Sequence, residues 1–244
     1  MKIKSTIVVA AAAGSAFAPN AQAADLPVKA PQMTPAPAWN WTGFYIGGHL
    51  GAAWQRASTT GTYLDGTTPR PFTNSTDHTG FAGGGQIGYN WQSGMFVYGL
   101  EADITALSGS DTASQQVVDA TVTSTNKIDW IGTVRGRLGV TIAGNTLVYA
   151  TGGFAYAQVK NTHTETNGAR LATWQDDSIR TGYAVGGGIE HMFAPHWTVR
   201  AEGLYVDLGN ETVSNFSGVC TNGCLPVTFK NKATIARAAL NYKF

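Results

Sequence analysis

From Trp41 onward, apolar and polar residues alternate with a period of two in segment after segment. That is the spacing that puts successive side chains on opposite faces of a β-strand. Over 41–54, Phe44, Ile46, Leu50 and Trp54 share one face, while Tyr45, Gly47, His49 and Gly51 share the other. Over 81–91, Ile87, Tyr89 and Trp91 oppose Gln86 and Asn90. After Gln92-Ser93-Gly94, a segment over 95–107 sets Phe96, Tyr98, Leu100 and Ile104 against Glu101, Asp103 and Thr105. Over 127–141, Ile128, Trp130, Val134, Leu138 and Val140 oppose Asp129, Thr133, Arg135 and Arg137. Ala143-Gly144-Asn145 then turns into a segment over 147–159, where Tyr149 and Phe154 have opposite parity and leave the facing open. Segments over 181–193, 197–208 and 233–244 complete a set of eight strands. Their polar faces carry Glu190, then Arg200 and Glu202, then Arg237, Asn241 and Lys243.

The connections alternate as well. Turns after the second, fourth and sixth strands are a few residues long, whereas the other connections run to about 20 residues, far beyond ordinary hairpin lengths. Short turns at one end and long loops at the other are the pattern of a barrel in an outer membrane, with the short turns periplasmic. The expected fold is therefore all-β: an eight-stranded antiparallel up-and-down transmembrane β-barrel with long external loops. A soluble lipocalin-like barrel would reverse the two faces, burying the aromatic strand ends and exposing the charges. The final strand places Leu240, Tyr242 and Phe244 on the lipid face, and an aromatic terminal strand of this kind resembles the signal read by the bacterial barrel-assembly machinery.

Composition sharpens this reading. Charged residues are 13% of the chain, against about 25% in ordinary globular domains. Glycine supplies 30 of 244 residues and aromatics 11%, which suits short strands with one face in lipid. A net charge of +1 gives no polybasic argument for nucleic acid. Lys2 and Lys4, the apolar run from Ile7 to Ala13 and the small-x-small site at Ala21-Gln22-Ala23 read as a signal peptide over 1–23. A Pro-rich periplasmic leader over 24–40 and a barrel over 41–244 follow. No later stretch is long and apolar enough for a membrane helix.

The inward face carries four acids and four arginines: Glu101, Asp103, Glu190 and Glu202 with Arg135, Arg137, Arg200 and Arg237. The lumen of an eight-stranded barrel is just wide enough for side chains to fill, and buried ions there must pair. A self-satisfying ion network is expected, with a conducting path or catalytic carboxylates as the other uses of such a set. Catalytic and metal signals are otherwise thin. Five histidines lack metal spacing, and no nucleophile elbow or Ser/His/Asp set is present. The expectation is no enzyme, no cofactor and no bound metal. His78 and His163, in or beside external loops, are the residues that would ligate haem iron. Cys220 and Cys224 flank Thr221-Asn222-Gly223 in an exported chain, which favours a local disulfide.

Several motifs resemble a known family. They are Trp41-Thr42-Gly43-Phe44-Tyr45-Ile46-Gly47, Gln86-Ile87-Gly88-Tyr89-Asn90-Trp91, Thr133-Val134-Arg135-Gly136-Arg137-Leu138-Gly139, Tyr149-Ala150-Thr151-Gly152-Gly153, Leu204-Tyr205-Val206-Asp207-Leu208-Gly209 and Leu240-Asn241-Tyr242-Lys243-Phe244. In this order they resemble the small outer-membrane proteins of Brucella and rhizobia, a family that includes the Brucella major outer-membrane antigens and the Bartonella haemin-binding proteins. The resemblance implies a cell outer-membrane barrel that supports envelope integrity and exposes surface loops. Its relatives are variously described as porins and haem binders, so a channel for small solutes and a haem-binding surface stand as alternatives. In several relatives the mature chain begins Ala-Asp and is joined through its α-amine to peptidoglycan, which makes Ala24 a candidate attachment point. Expected partners are outer-membrane lipid and lipopolysaccharide, the barrel-assembly machinery and peptidoglycan.

Overall fold

Strands whose two faces both find a use, one outward and one around a narrow lumen, need no second layer, and a single sheet closing on itself leaves no edge in the bilayer. The computed structural model describes residues 39–65, 68–109, 111–117, 120–167, 170–213 and 227–244. Nine strands lie within them: β1 Gly43–Asp65, β2 Thr68–Ser93, β3 Phe96–Leu107, β4 Asp111–Val117, β5 Ala120–Ile142, β6 Thr146–Asn167, β7 Arg170–Ala194, β8 Trp197–Val213 and β9 Val227–Lys243. They form one antiparallel sheet in the order β3-β2-β1-β9-β8-β7-β6-β5-β4, closed by pairing of β3 with β5. Strand β4 pairs with β5 beyond the end of β3, so β3 and β4 are successive pieces of one stave. The barrel thus has eight staves.

The outward face is apolar in a band of defined height. Phe44 and Trp54 lie ten residues apart on the same face of β1. At about 3.3 Å per residue and a tilt near 40°, that is about 25 Å along the barrel axis, the height of an outer-membrane hydrophobic band. Aromatics mark both borders. Phe44, Tyr89, Trp91 and Tyr98 form a contact chain at the short-turn end, and Tyr242 contacts Trp197 and Phe244 there. Trp130, Phe154 and Tyr156 pack together at the other border, as do Tyr183 and Tyr205.

Two of the sequence expectations change, and one facing left open is resolved. The long connections after the first, third and fifth strands are extensions of the sheet: β1 and β2 stay paired to Asp65↔Thr68, and β6 and β7 to Asn167↔Arg170. Backbone polar groups above the membrane are satisfied by continuing the ladder, and its Ser/Thr-rich segments favour strand. The facing of β6 is settled, with Tyr149 buried inward and Phe154 exposed outward. At 128–129 the alternation is broken. Register jumps between Ile128 and Trp130, so Ile128 turns into the lumen and Asp129 becomes the surplus residue of a β-bulge. Asp129 then contacts Lys127 and Lys160, each at 2.8 Å. Residues 1–38, including the expected signal peptide, leader and Ala24, and the Cys220/Cys224 pair lie outside the described residues.

Candidate functional site

Inward parity alone brings the eight expected ions into one layer. Glu101 and Asp103 come from β3, Arg135 and Arg137 from β5, Glu190 from β7, Arg200 and Glu202 from β8, and Arg237 from β9. Register sets Glu101 opposite Arg135, Glu190 opposite Arg200 and Glu202 opposite Arg237. All eight are buried. Arg135 reaches Glu101 at 2.6 Å, Asp103 at 2.9 Å and Glu202 at 3.2 Å. Arg200 reaches Glu101 across the lumen at 2.6 Å and its cross-strand neighbour Glu190 at 3.2 Å. Arg137 pairs with Glu190 at 2.7 Å, and Arg237 bridges Asp103 at 3.2 Å and Glu202 at 2.6 Å. Every acid touches at least two arginines, and every arginine at least two acids within 4.0 Å.

The layer contains partners that charge counting misses. Tyr45 donates to Glu101 at 2.6 Å and Tyr149 donates to Glu202 at 2.9 Å. Thr133 donates to Asp103 at 2.5 Å and Thr198 to Glu190 at 2.6 Å. His49 contacts Gln86 at 2.6 Å and Thr105 at 2.9 Å, and Gln86 and Asn241 extend the chain of bonds to Glu190. The Arg137 guanidinium lies 4.1 Å from the centre of the Tyr149 ring, within cation–π range. The sequence signal for these residues was their inward parity combined with a polar or aromatic side chain. Glycine makes room for both rings. Tyr45 lies directly across from Gly88 and Tyr149 from Gly188; a Cβ at Gly88 would collide with the Tyr45 hydroxyl, and one at Gly188 would stand 2.9 Å from that of Tyr149.

Two apolar layers enclose the ions. On the external side, Ala53, Ala82, Leu107, Ile131, Ala155, Leu204, Val206 and Ile235 belong to a buried cluster facing the axis. On the periplasmic side Trp41, Val97, Leu147, Tyr149 and Met192 pack together, with Trp39 against them. Trp41 reaches far around the barrel: its backbone N–H bonds Gln92 at 2.8 Å and its indole N–H bonds the carbonyl of Gly144 at 3.0 Å. A charged layer thus lies between two buried apolar ones within the band.

The remaining sequence candidates lie elsewhere. Leu240, Tyr242 and Phe244 face outward, and the backbone N–H of Phe244 bonds Phe44 across the β1–β9 seam at 2.9 Å. His78 faces inward near the external mouth, opposite Gln55, while the side chain of His163 lies outside the described ones. His191 is exposed and contacts Thr146 at 2.9 Å. Among the described residues no group of three or more His, Cys, Asp or Glu is placed to hold a metal ion. Outside the membrane band, Arg56 holds the Asp77 carboxyl below its ordinary range through a hydrogen bond, and Lys127 and then Lys160 do the same to Asp129.

The family model described as an outer membrane protein beta-barrel domain matches residues 8–244. The 31 kDa outer-membrane immunogenic protein of Brucella melitensis is 34% identical, over 97% of this chain and 99% of its own. The 22 kDa outer membrane protein of Rhizobium leguminosarum bv. viciae is 35% identical, over 77% of this chain and 74% of its own. Among solved structures, the outer membrane protein OprG of Pseudomonas aeruginosa aligns with a TM-score of 0.53 at 15% identity, covering 84% of this chain and 97% of its own. The Escherichia coli outer membrane protease OmpT aligns with a TM-score of 0.50 at 10% identity, covering 86% of this chain and 99% of its own. At those identities the two structures speak for the fold alone.

Proposed function

The chain belongs to the outer membrane protein beta-barrel family, and from that premise we propose that it is a structural barrel of the cell outer membrane. In this reading it supports the envelope and carries its external hairpins to the cell surface, and it is neither a channel nor an enzyme. One observation carries the reading: the ion layer draws side chains from all eight staves and is sealed above and below by apolar clusters. A solute path needs a hydrated bore. Here the centre of the barrel is occupied by charges already paired with one another, and opening it would strand them unpaired at several kcal/mol each. Catalysis needs an exposed reactive group, whereas the carboxylates here are buried and committed to arginines. On the same reading, a periplasmic leader linked at Ala24 would hold the barrel to peptidoglycan.

The test is a planar-bilayer recording on the pure refolded protein. The expected trace is silent apart from rare, unstable events. Steady unitary conductance would overturn the closed-lumen reading and make the chain a porin.

A further inference from the structure

Just above the external aromatic border, the outward face carries two places where like charges meet across neighbouring strands. Lys127 stands opposite Lys160, and Arg56 stands opposite Lys232. Like charges directly opposite one another destabilise a sheet unless something neutralises them. At the first place the protein supplies the anion itself, since the bulged Asp129 contacts both lysines at 2.8 Å. The second has no such bridge among the described residues. Arg56 leans away onto Asp77 of β2 at 2.6 Å, and Lys232 leans the other way onto Asp207 of β8 at 3.3 Å. The acids sit at the flanks, and among the described residues no carboxylate bridges the two cations. Lys230, exposed on the same face and opposite Ser58, adds a third cation with no acid partner among the described residues.

Height identifies what the notch meets. Arg56 is two residues beyond Trp54 on the lipid-facing side of β1, about 5 Å further along the axis at the barrel tilt. Lys232 lies 5.8 Å from the centre of the border Tyr205 ring. These cations are level with outer-leaflet headgroups and point at the lipid, away from the lumen. We propose that Arg56, Lys230 and Lys232 form a docking site for the phosphate of an outer-leaflet glycolipid headgroup, the missing anion between the opposed cations. The site rests on the barrel's place in the outer membrane and is independent of whether the lumen conducts.

Native mass spectrometry of the full barrel, released from detergent after titration with diphosphorylated lipid A, tests this. The wild type should retain one glycolipid per barrel. The triple variant Arg56→Gln/Lys230→Gln/Lys232→Gln should bind on the order of a hundredfold more weakly, since each near-surface cation is worth roughly a fivefold factor. The variant Lys127→Gln/Lys160→Gln should bind as the wild type does. Dephosphorylated lipid A should bind weakly to all, and inorganic phosphate at millimolar concentration should not displace the glycolipid. Heat-modifiable gel migration establishes that each variant is folded before titration. Equal binding by the triple variant and the wild type, equal loss in the Lys127/Lys160 variant, or undiminished binding of dephosphorylated lipid A would each overturn the site. Displacement by inorganic phosphate would overturn the lipid assignment and leave a simple anion site.

Discussion

Arg135 shows why a buried ion layer resists partial removal. Its guanidinium touches Glu101, Asp103 and Glu202 and also donates to Thr133 at 2.9 Å. Truncation to alanine leaves three carboxylates short of a partner in a site water does not reach. Breaking a buried pair in this way costs about 3–5 kcal/mol. Lys160 pairs with Asp129 at a similar distance but is exposed and shares its partner with Lys127, so solvent replaces what its removal takes away. Arg135→Ala should therefore lower the urea midpoint of the refolded barrel clearly, while Lys160→Ala leaves it nearly unchanged. Coincident midpoints would mean that Arg135 is solvated and the lumen wet. Period-two parity alone was enough to identify all eight ions, because a charge on the inward face of a narrow barrel has nowhere else to go. Tyr45, His49, Tyr149 and the threonines were harder to read, since their role depends on cross-barrel distances that no single strand encodes.

At the scale of strands, faces were legible wherever alternation was unbroken and failed where one residue was inserted. Between Ile128 and Trp130 the chain carries one residue more than its partner strand, and nothing local in Lys127-Ile128-Asp129-Trp130 distinguishes the surplus position. The pairing of β5 with β6 identifies it as Asp129, because Ile128 faces Val159 and Trp130 faces Gln158. This has a sharp consequence. Deleting Asp129 removes the bulge and keeps every other side chain on its face, so the barrel should fold and remain heat-modifiable on gels. Deleting Gly136, seven residues on, must turn either Arg135 or Arg137 out of the lumen even if the bulge relaxes, and should prevent the compact, fast-migrating form. If the two deletions behave alike, the bulge assignment is wrong. The external extensions were read as loops for a related reason. Their Ser/Thr-rich alternation lacks an apolar face, and without one the period-two signal has little amplitude, though the ladder continues through it.

For the whole molecule, the closed lumen and the external hairpins are separable. Every layer that fills the lumen lies within the membrane band, where β1 pairs with both β2 and β9. Above the band, β1 and β2 stay paired from Ala57↔Thr76 to Asp65↔Thr68, with β9 still beside β1 as far as Gly61↔Val227, and this part supplies nothing to the ion layer. Replacing residues 58–75 by Asn-Gly joins Ala57 to Thr76 through a two-residue turn whose twist matches the flanking strands. The shortened barrel should refold, keep its heat-modifiability and remain electrically silent in a planar bilayer, because closure comes from paired side chains inside the staves. Steady current through the shortened barrel beside a silent full-length one would assign closure to the hairpin as an external lid. Loss of folding would instead make the hairpin part of the nucleus that brings β1 and β2 into register. Retained silence is the outcome expected of a lumen in which four carboxylates and four guanidinium groups already hold one another.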